Sequence, residues 1–214
     1  MSEAYSARTK YDERVATRYR HEAEGRRGRE NAVLRSILDE VGLQGTLLDA
    51  PCGTGRVVDV LGGRLRRYVG LDLSTAMLSE CGRRILDLAE TFPAGIGRAD
   101  LERLPLAERS IDVTLCLRFL HHLPPATRGK VLDELARVTD RILVVTFFHP
   151  FALHFLERKV KDLIRRRPNP RFSNTTGWLE ERLAGRGFRL RSSRGTGLLR
   201  ETRYAVFERR DEKP

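Results

Sequence analysis

Two carboxylates and two glycines with regular spacing form the first candidate for a binding site. Asp49 ends a short apolar run, Gly53 and Gly55 follow it, and a second run ends at Asp72, 17 residues after Gly55. Glycine lets the backbone approach a ligand where a Cβ would collide. A carboxylate that ends the neighbouring strand can accept hydrogen bonds from ribose hydroxyls. The arrangement predicts a nucleoside-binding site.

The same turn argues against a nicotinamide dinucleotide as the ligand. A dinucleotide turn reads Gly-x-Gly-x-x-Gly, and the third glycine position is occupied here by Val58. The carboxylate of Asp49 also stands four residues before the first glycine, where its charge would repel a pyrophosphate. A ligand with a cationic, phosphate-free centre fits these residues better.

Strand-like and helix-like segments alternate along the chain, which is typical of a largely parallel sheet covered on both faces. Strands are predicted at residues 46–50, 68–72, 96–99, 111–117, 141–147, 188–193 and 203–209. Helices are predicted at residues 8–22, 28–42, 55–65, 74–90, 126–138, 152–166 and 176–185. We therefore expect an α/β fold with a doubly wound, seven-stranded, mostly parallel sheet whose last two strands are antiparallel.

Length and charge limit the classes of protein to consider. The 214 residues suit one α/β domain, and no run approaches the roughly 18 apolar residues of a membrane span. The N-terminus lacks the apolar centre of a secretory signal, so we expect a cytoplasmic protein.

The net charge of +11 is concentrated in residues 151–214, and 35 of the 40 cations are arginines. A compositional bias accounts for this excess as well as an anionic partner does, and a nucleic-acid partner is not expected.

Four motifs occur in order between residues 33 and 148. They are Asp49 with Gly53 and Gly55, the segment 70–74 at the end of the second strand, the segment 98–100 after the third, and the segment 120–123 after the fourth. Together they resemble the class I S-adenosylmethionine-dependent methyltransferases of the small-molecule type. The resemblance implies a Rossmann-like fold, S-adenosyl-L-methionine as cofactor, and in-line transfer of its sulfonium methyl group to an acceptor.

The resemblance also implies a set of cofactor-binding residues. They are Asp49, Ala50, Gly53, Gly55, Asp72, Leu73, Asp100, Leu101, Leu117 and Arg118. The first four would hold the methionyl portion, Asp72 would accept both ribose hydroxyls, and Asp100 would meet the adenine amino group. The last two would line the floor below the sulfonium. Pro51 stands where the family commonly has glycine, so the turn can form only if a backbone N–H is not needed there.

Histidines and cysteines supply the remaining chemistry-bearing side chains. His121 and His122, directly after the fourth strand, are the candidate catalytic bases, and a structural role is the alternative for His122. His149 and His154 could reach the same cleft. No metal site is indicated. We expect the three cysteines, Cys52, Cys81 and Cys116, to be reduced. Cys116 is expected in the core, and Cys52, in the turn, is expected to be open to solvent.

We expect two parts in the chain: an N-terminal cap helix in residues 1–30 and a methyltransferase domain in residues 31–214, with a basic helical insertion at 148–175. The amphipathic helix at 152–166 could present a solvated face, cap a substrate site or contact a membrane surface. The predicted function is methyl transfer to a small molecule, with an anionic or lipid-like acceptor preferred. The alternatives are an RNA or protein methyltransferase and a non-catalytic module that binds S-adenosylmethionine.

Overall fold

The computed structural model describes residues 24–43, 45–61, 65–86, 93–150, 172–197 and 202–210. The strands are β1 (Thr46–Asp49), β2 (Arg67–Asp72), β3 (Ala94–Arg98), β4 (Ile111–Cys116), β5 (Thr139–Phe148), β6 (Phe188–Gly195) and β7 (Thr202–Arg209). The helices are α1 (Glu24–Val41), α2 (Val58–Leu61), α3 (Thr75–Leu86), α4 (Pro125–Val138) and α5 (Thr176–Ala184), with a short 3₁₀ helix at Leu120–His122. The helices predicted at 8–22 and 152–166, and His154, lie outside the described residues.

The seven described strands form one sheet in the order β3-β2-β1-β4-β5-β7-β6. Strands β1 to β5 pair in parallel, whereas β7 runs antiparallel to both of its neighbours, β5 and β6. The predicted fold class is therefore confirmed. The strand order reverses between β1 and β4, and in such sheets ligands bind outside the carboxyl ends of the strands at the point of reversal.

Apolar side chains cover both faces of the sheet. In β5, Leu143, Val145 and Phe147 join the core cluster that includes residues of α4 and α5. The alternate residues Ile142 and Val144 join a second cluster with residues of α1 and α2. Because successive side chains of a strand point to opposite faces, a strand buried on both sides needs an uninterrupted apolar run. This requirement explains why β4 and β5 are the clearest strands in the sequence.

Several element boundaries differ from the sequence predictions. Helix α1 begins at Glu24, four residues before the predicted start, and it continues across the predicted boundary at residue 30. The division into a cap and a domain stays a prediction. Helix α2 begins only at Val58, because the residues before it form a turn in which the Gly55 N–H donates to the Cys52 carbonyl at 3.0 Å. The predicted cap of α3 is confirmed, since the hydroxyl of Ser74 accepts the Met77 N–H at 3.3 Å.

No helix within the described residues is long and apolar enough to cross a bilayer.

Candidate active site

The turn after β1 is fastened to both neighbouring strands. The Ala50 N–H donates to the carbonyl of Leu115 in β4, and the Cys52 N–H donates to the carbonyl of Leu71 in β2, both at 2.9 Å. Pro51 lies between these two donors and is preceded by a cis peptide bond. The turn thus forms with proline at this position, because the hydrogen bonds that anchor it come from the flanking residues.

The two glycines of the turn have different surroundings. Both adopt left-handed backbone conformations, with φ of +54° at Gly53 and +74° at Gly55. A Cβ added at Gly53 would meet no atom within 4 Å, whereas one at Gly55 would lie 3.0 Å from the Cys81 Sγ. Gly55 therefore allows the turn to pack on α3, and Gly53 faces open space that a ligand could occupy.

The carboxylate of Asp72 is fixed beside this open space. Its Oδ2 accepts the Gly53 N–H and its Oδ1 accepts the Ser74 N–H, both at 2.9 Å. Burial raises the pKa of Asp72. Hydrogen bonds from the backbone N–H groups of Ser74, Gly53 and Leu73 lower it, but by less. Each carboxylate oxygen has two lone pairs, so Asp72 can accept further hydrogen bonds, as ribose hydroxyls would require.

Asp49 lies beneath the turn. It is 1% exposed, and its Oδ2 accepts the Tyr68 hydroxyl at 3.1 Å. Burial raises the pKa of Asp49 well above its ordinary value, and the neighbouring Cys81 raises it further. A raised pKa favours the uncharged form of Asp49, so repulsion by its charge is a weaker argument against a pyrophosphate. The steric argument remains, because Val58 is buried at the position where a dinucleotide turn needs its third glycine.

The cysteine of the turn points inward. Cys52 is 5% exposed and packs with Leu78 and Cys81 of α3, so the expectation that it is open to solvent is wrong. The turn folds its side chain onto the helix, which the sequence pattern could not show. Cys116 is fully buried in the core as predicted, and all three thiols are free.

The residues predicted to meet adenine follow β3, the strand beside β2. Asp100 is half-buried, and its Oδ1 accepts the Glu102 N–H at 3.0 Å. Leu101 is buried at 3% exposure. The structure thus brings Asp100 and Asp72 to the carboxyl edges of two adjacent strands, on the same side of the glycine turn.

A buried carboxylate, Glu30, connects the turn with the end of β4. Its Oε2 lies 3.1 Å from the Arg56 guanidinium and 3.5 Å from that of Arg118. Arg118 has a left-handed backbone, with φ of +56°, and its N–H donates to the Thr146 hydroxyl at 2.5 Å. Leu117, the other predicted floor residue, is half-buried. The sequence pattern named Arg118 as a candidate but gave no sign of Glu30, whose partners are distant in the chain.

The two candidate bases lie in the 3₁₀ helix after β4 and are both buried, with 4% exposure for His121 and 8% for His122. The His121 ring stacks on Phe148 with 3.9 Å between ring centroids and 14° between planes. The Phe172 N–H donates to the His121 carbonyl at 2.9 Å. These contacts form an aromatic wall at the carboxyl ends of β4 and β5.

Arg128 of α4 fastens this wall, and no sequence pattern indicates its role. The side chain is 3% exposed, and it donates to the carbonyls of Leu120 at 3.2 Å and Leu123 at 2.8 Å and to the Oδ1 of Asn174. Burial lowers the pKa of Arg128 to about 10. Its hydrogen-bond partners among the described residues are all neutral, so they do not compensate its positive charge.

A sheet in this order, with an antiparallel β7, is the fold of the class I methyltransferases. Residues 47–141 match the family model described as a methyltransferase domain. This part of the chain is thus similar to a methyltransferase domain, and the predicted resemblance to the S-adenosylmethionine-dependent enzymes is confirmed.

Individual relatives agree with this class. A demethylmenaquinone methyltransferase of Beutenbergia cavernae is 36% identical over 121 residues, which are 54% of this chain and 47% of that protein. The match thus spans about half the length of that relative.

Solved structures share the fold at low sequence identity. Magnesium protoporphyrin IX methyltransferase of Synechocystis PCC 6803 with bound SAH has a TM-score of 0.74 at 19% identity, covering 86% of this chain and 84% of that one. An S-adenosylmethionine-dependent methyltransferase of Clostridium acetobutylicum has a TM-score of 0.66 at 11% identity, covering 89% of this chain and 94% of that one.

Proposed function

We propose that the protein transfers the methyl group of S-adenosyl-L-methionine to a small-molecule acceptor that is anionic or lipid-like. The observation that carries the proposal is the fixed carboxylate of Asp72 beside the open side of Gly53. Two backbone N–H donors hold this carboxylate before any ligand arrives, and such preorganisation reduces the free energy needed to bind a ribose.

The remaining cofactor contacts follow the strand ends. The methionyl portion would lie over the turn that contains Ala50, Gly53 and Gly55, with Asp49 supporting the turn from below. The adenine would lie near Asp100 and Leu101, and the sulfonium would lie above Leu117 and Arg118. Leu73, next to Asp72, would border the nucleoside.

The acceptor would enter beside the aromatic wall. Sulfonium is a good leaving group, so the protein contributes mainly by aligning the nucleophile and excluding water. A base is needed only where the acceptor must lose a proton, and His121 and His122 are the candidates for that role. The stack of His121 on Phe148 and the contact between the two histidine rings also suit this pair to shape the wall.

A small-molecule acceptor agrees with the names of two relatives, a demethylmenaquinone methyltransferase and a magnesium protoporphyrin IX methyltransferase. An RNA methyltransferase would need an open basic groove, and its affinity for nucleic acid would fall steeply with salt. Several described arginines of β6 are instead paired with carboxylates, as Arg189 is with Glu208 and Arg194 is with Glu40. Membrane contact through residues 152–166 and a cytoplasmic location stay predictions.

Calorimetric titration of cofactor-free protein with S-adenosylhomocysteine tests the cofactor site. Asp72→Asn removes the charge and presents an amide N–H₂ to backbone donors, so affinity should fall by about tenfold or more, which is roughly 1.4 kcal/mol. Asp59→Asn is the matched control, because Asp59 is exposed and pairs with Arg84 on the surface. NADPH should not bind. Unchanged affinity in Asp72→Asn would exclude the proposed site, and tight product binding without methyl transfer would favour the non-catalytic module.

A further inference from the structure

Three hydrogen-bonding groups near the end of β5 are shielded from solvent and have no partner among the described residues. They are the Nε of Arg203, the Nδ2 of Asn174 and the Oγ of Ser173. Asn174 is 7% exposed, and Arg203 is half-buried. A buried donor without an acceptor costs about 1–3 kcal/mol, so three of them in one region point to a ligand.

Arg203 and Asn174 lie on the same face of the sheet. Arg203 of β7 is the register partner of Phe147 in β5. The residues two and four positions further, Ala205 and Phe207, belong to the core cluster below α4 and α5, so strand alternation places Arg203 on that face. The Asn174 N–H donates to the carbonyl of Phe148 at 2.8 Å. Its Oδ1 accepts from Arg128 of α4, which packs on the same face.

Arg203 differs from the other arginines of the β6–β7 pair in having no partner among the described residues. Each of the others is paired there: Arg189 with Glu208, Arg191 with Glu40 and Glu208, Arg194 with Glu40, and Arg209 with the carbonyls of Thr139 and Ala136. The nearby Arg128 is a buried cation with neutral partners, so no described carboxylate compensates either charge.

We infer that Arg203, Asn174 and Ser173 bind an anionic oxygen group of the methyl acceptor, a carboxylate or a phosphate. The inference rests on the proposed function, and it names the part of the acceptor that this face recognises. The nitrogens of a guanidinium and of an amide N–H₂ donate hydrogen bonds and do not accept them. Hydrogen bonds from a guanidinium to a carboxylate or phosphate are charge-assisted and therefore stronger than hydrogen bonds between neutral groups. The backbone links Asn174 to an aromatic surface, because its N–H donates to the carbonyl of Phe148 and the Phe148 ring stacks on His121; such a surface suits a planar acceptor body.

The electrostatics of a neighbouring histidine agree with a cation at this place. His149 follows β5 and is half-buried. Burial lowers the pKa of His149, and the charge of Arg203 lowers it further. The Arg203 guanidinium therefore acts on the carboxyl end of β5, where an acceptor would enter.

Three naphthalene probes test the site in protein saturated with S-adenosylhomocysteine. The anions are 1-naphthoate and 1-naphthyl phosphate, and 1-naphthamide is the neutral match of naphthoate. At least one anion should bind about tenfold or more tightly than the amide by calorimetry. Arg203→Gln should remove this preference, and Arg203→Lys should retain part of it. Asn174→Asp keeps the acceptor for Arg128 but replaces the free donor with an oxygen, so it should also weaken anion binding. Arg189→Gln, which breaks an exposed pair with Glu208, is the control and should change nothing.

The inference is overturned if 1-naphthamide binds as tightly as the anions, if Arg203→Gln keeps the anion preference, or if no probe binds saturably. Naphthoate binding without naphthyl phosphate binding assigns the group as a carboxylate, and the reverse assigns a phosphate. Each variant is also titrated with S-adenosylhomocysteine. In the wild-type protein, normal product binding without an anion preference refutes only the anion site, whereas failure of the wild-type protein to bind the product refutes the proposed function as well.

Discussion

Alanine substitution at the two glycines of the turn should separate packing from ligand binding. In Gly55→Ala, the new Cβ would lie 3.0 Å from the Cys81 Sγ and 3.3 Å from the Cys81 Cα, at a φ of +74°. The left-handed backbone costs a residue with a Cβ roughly 1–2 kcal/mol. Overpacking against a backbone atom adds about 1–3 kcal/mol. The free energy of unfolding should therefore fall by about 2–5 kcal/mol.

Gly53→Ala should behave differently. Its φ is +54°, so the same backbone cost applies, but no atom lies within 4 Å of the new Cβ. Its free energy of unfolding should fall by only about 1–2 kcal/mol. The methyl group would occupy the space proposed for the cofactor, so affinity for S-adenosylhomocysteine should fall by about tenfold or more.

Urea unfolding and calorimetry measure the two effects separately. Gly28→Ala is the control, because Gly28 lies in α1 with ordinary φ and open surroundings, and the variant should be stabilised by about 1 kcal/mol. The double variant Gly55→Ala, Cys81→Ala removes the sulfur that the new methyl group would meet but leaves the backbone of residue 81 in place, so it should recover only part of the lost stability. Equal destabilisation by Gly53→Ala and Gly55→Ala would refute the packing argument. Wild-type product affinity in Gly53→Ala would refute the placement of the ligand.

Two further substitutions test buried groups around the site. Because burial raises the pKa of Asp49 in the folded state, its contribution to stability is fully present below the unfolded value of about 3.9 and is lost as pH rises through the native value. The stability of Asp49→Asn relative to wild type should therefore increase between pH 5 and pH 8 in urea unfolding, and a constant difference would contradict the pKa direction. Arg128→Met leaves the carbonyls of Leu120 and Leu123 and the amide of Asn174 without their donor, at about 1–3 kcal/mol for each buried group. Its free energy of unfolding should fall by about 3 kcal/mol or more, and a loss below about 1 kcal/mol would show that these bonds are not needed.

The sheet and the positions of two candidate carboxylates at its edge were predictable because their signals are local. A strand buried on both faces needs an apolar run, and β5 contains one at residues 142–145, while four of the six residues of β4 are apolar. Asp72 ends β2 and Asp100 stands two residues after β3, and the carboxyl ends of parallel strands meet at one edge. The order of the motifs was therefore enough to bring these carboxylates together.

The contacts that the sequence missed join residues far apart in the chain. Glu30 meets Arg56 and Arg118, and Arg128 meets Asn174, in each case across elements that only the tertiary fold brings into contact. Periodicity reports which face of an element is buried but not which polar residue of another element lies opposite. The inward orientation of Cys52 was missed for the same reason, since a turn has no periodicity from which its side-chain directions could be derived.

The strand order also separates the carboxylates proposed to bind the cofactor from the cation proposed to bind the acceptor. The carboxylates of β2 and of the segment after β3 are proposed to bind the cofactor, whereas Arg203, the unpartnered arginine of the described β6–β7 pair, belongs to β7. Strands β2 and β7 are four positions apart, and at about 4.8 Å per strand this places their ends roughly 19 Å from one another. The distance exceeds the Debye length of about 8 Å at physiological ionic strength, so Arg203 and Asp72 should act on their ligands almost independently. Arg203→Gln should therefore leave product affinity unchanged while it abolishes the preference for anions, and a coupled loss of both would mean that the two groups serve a single ligand.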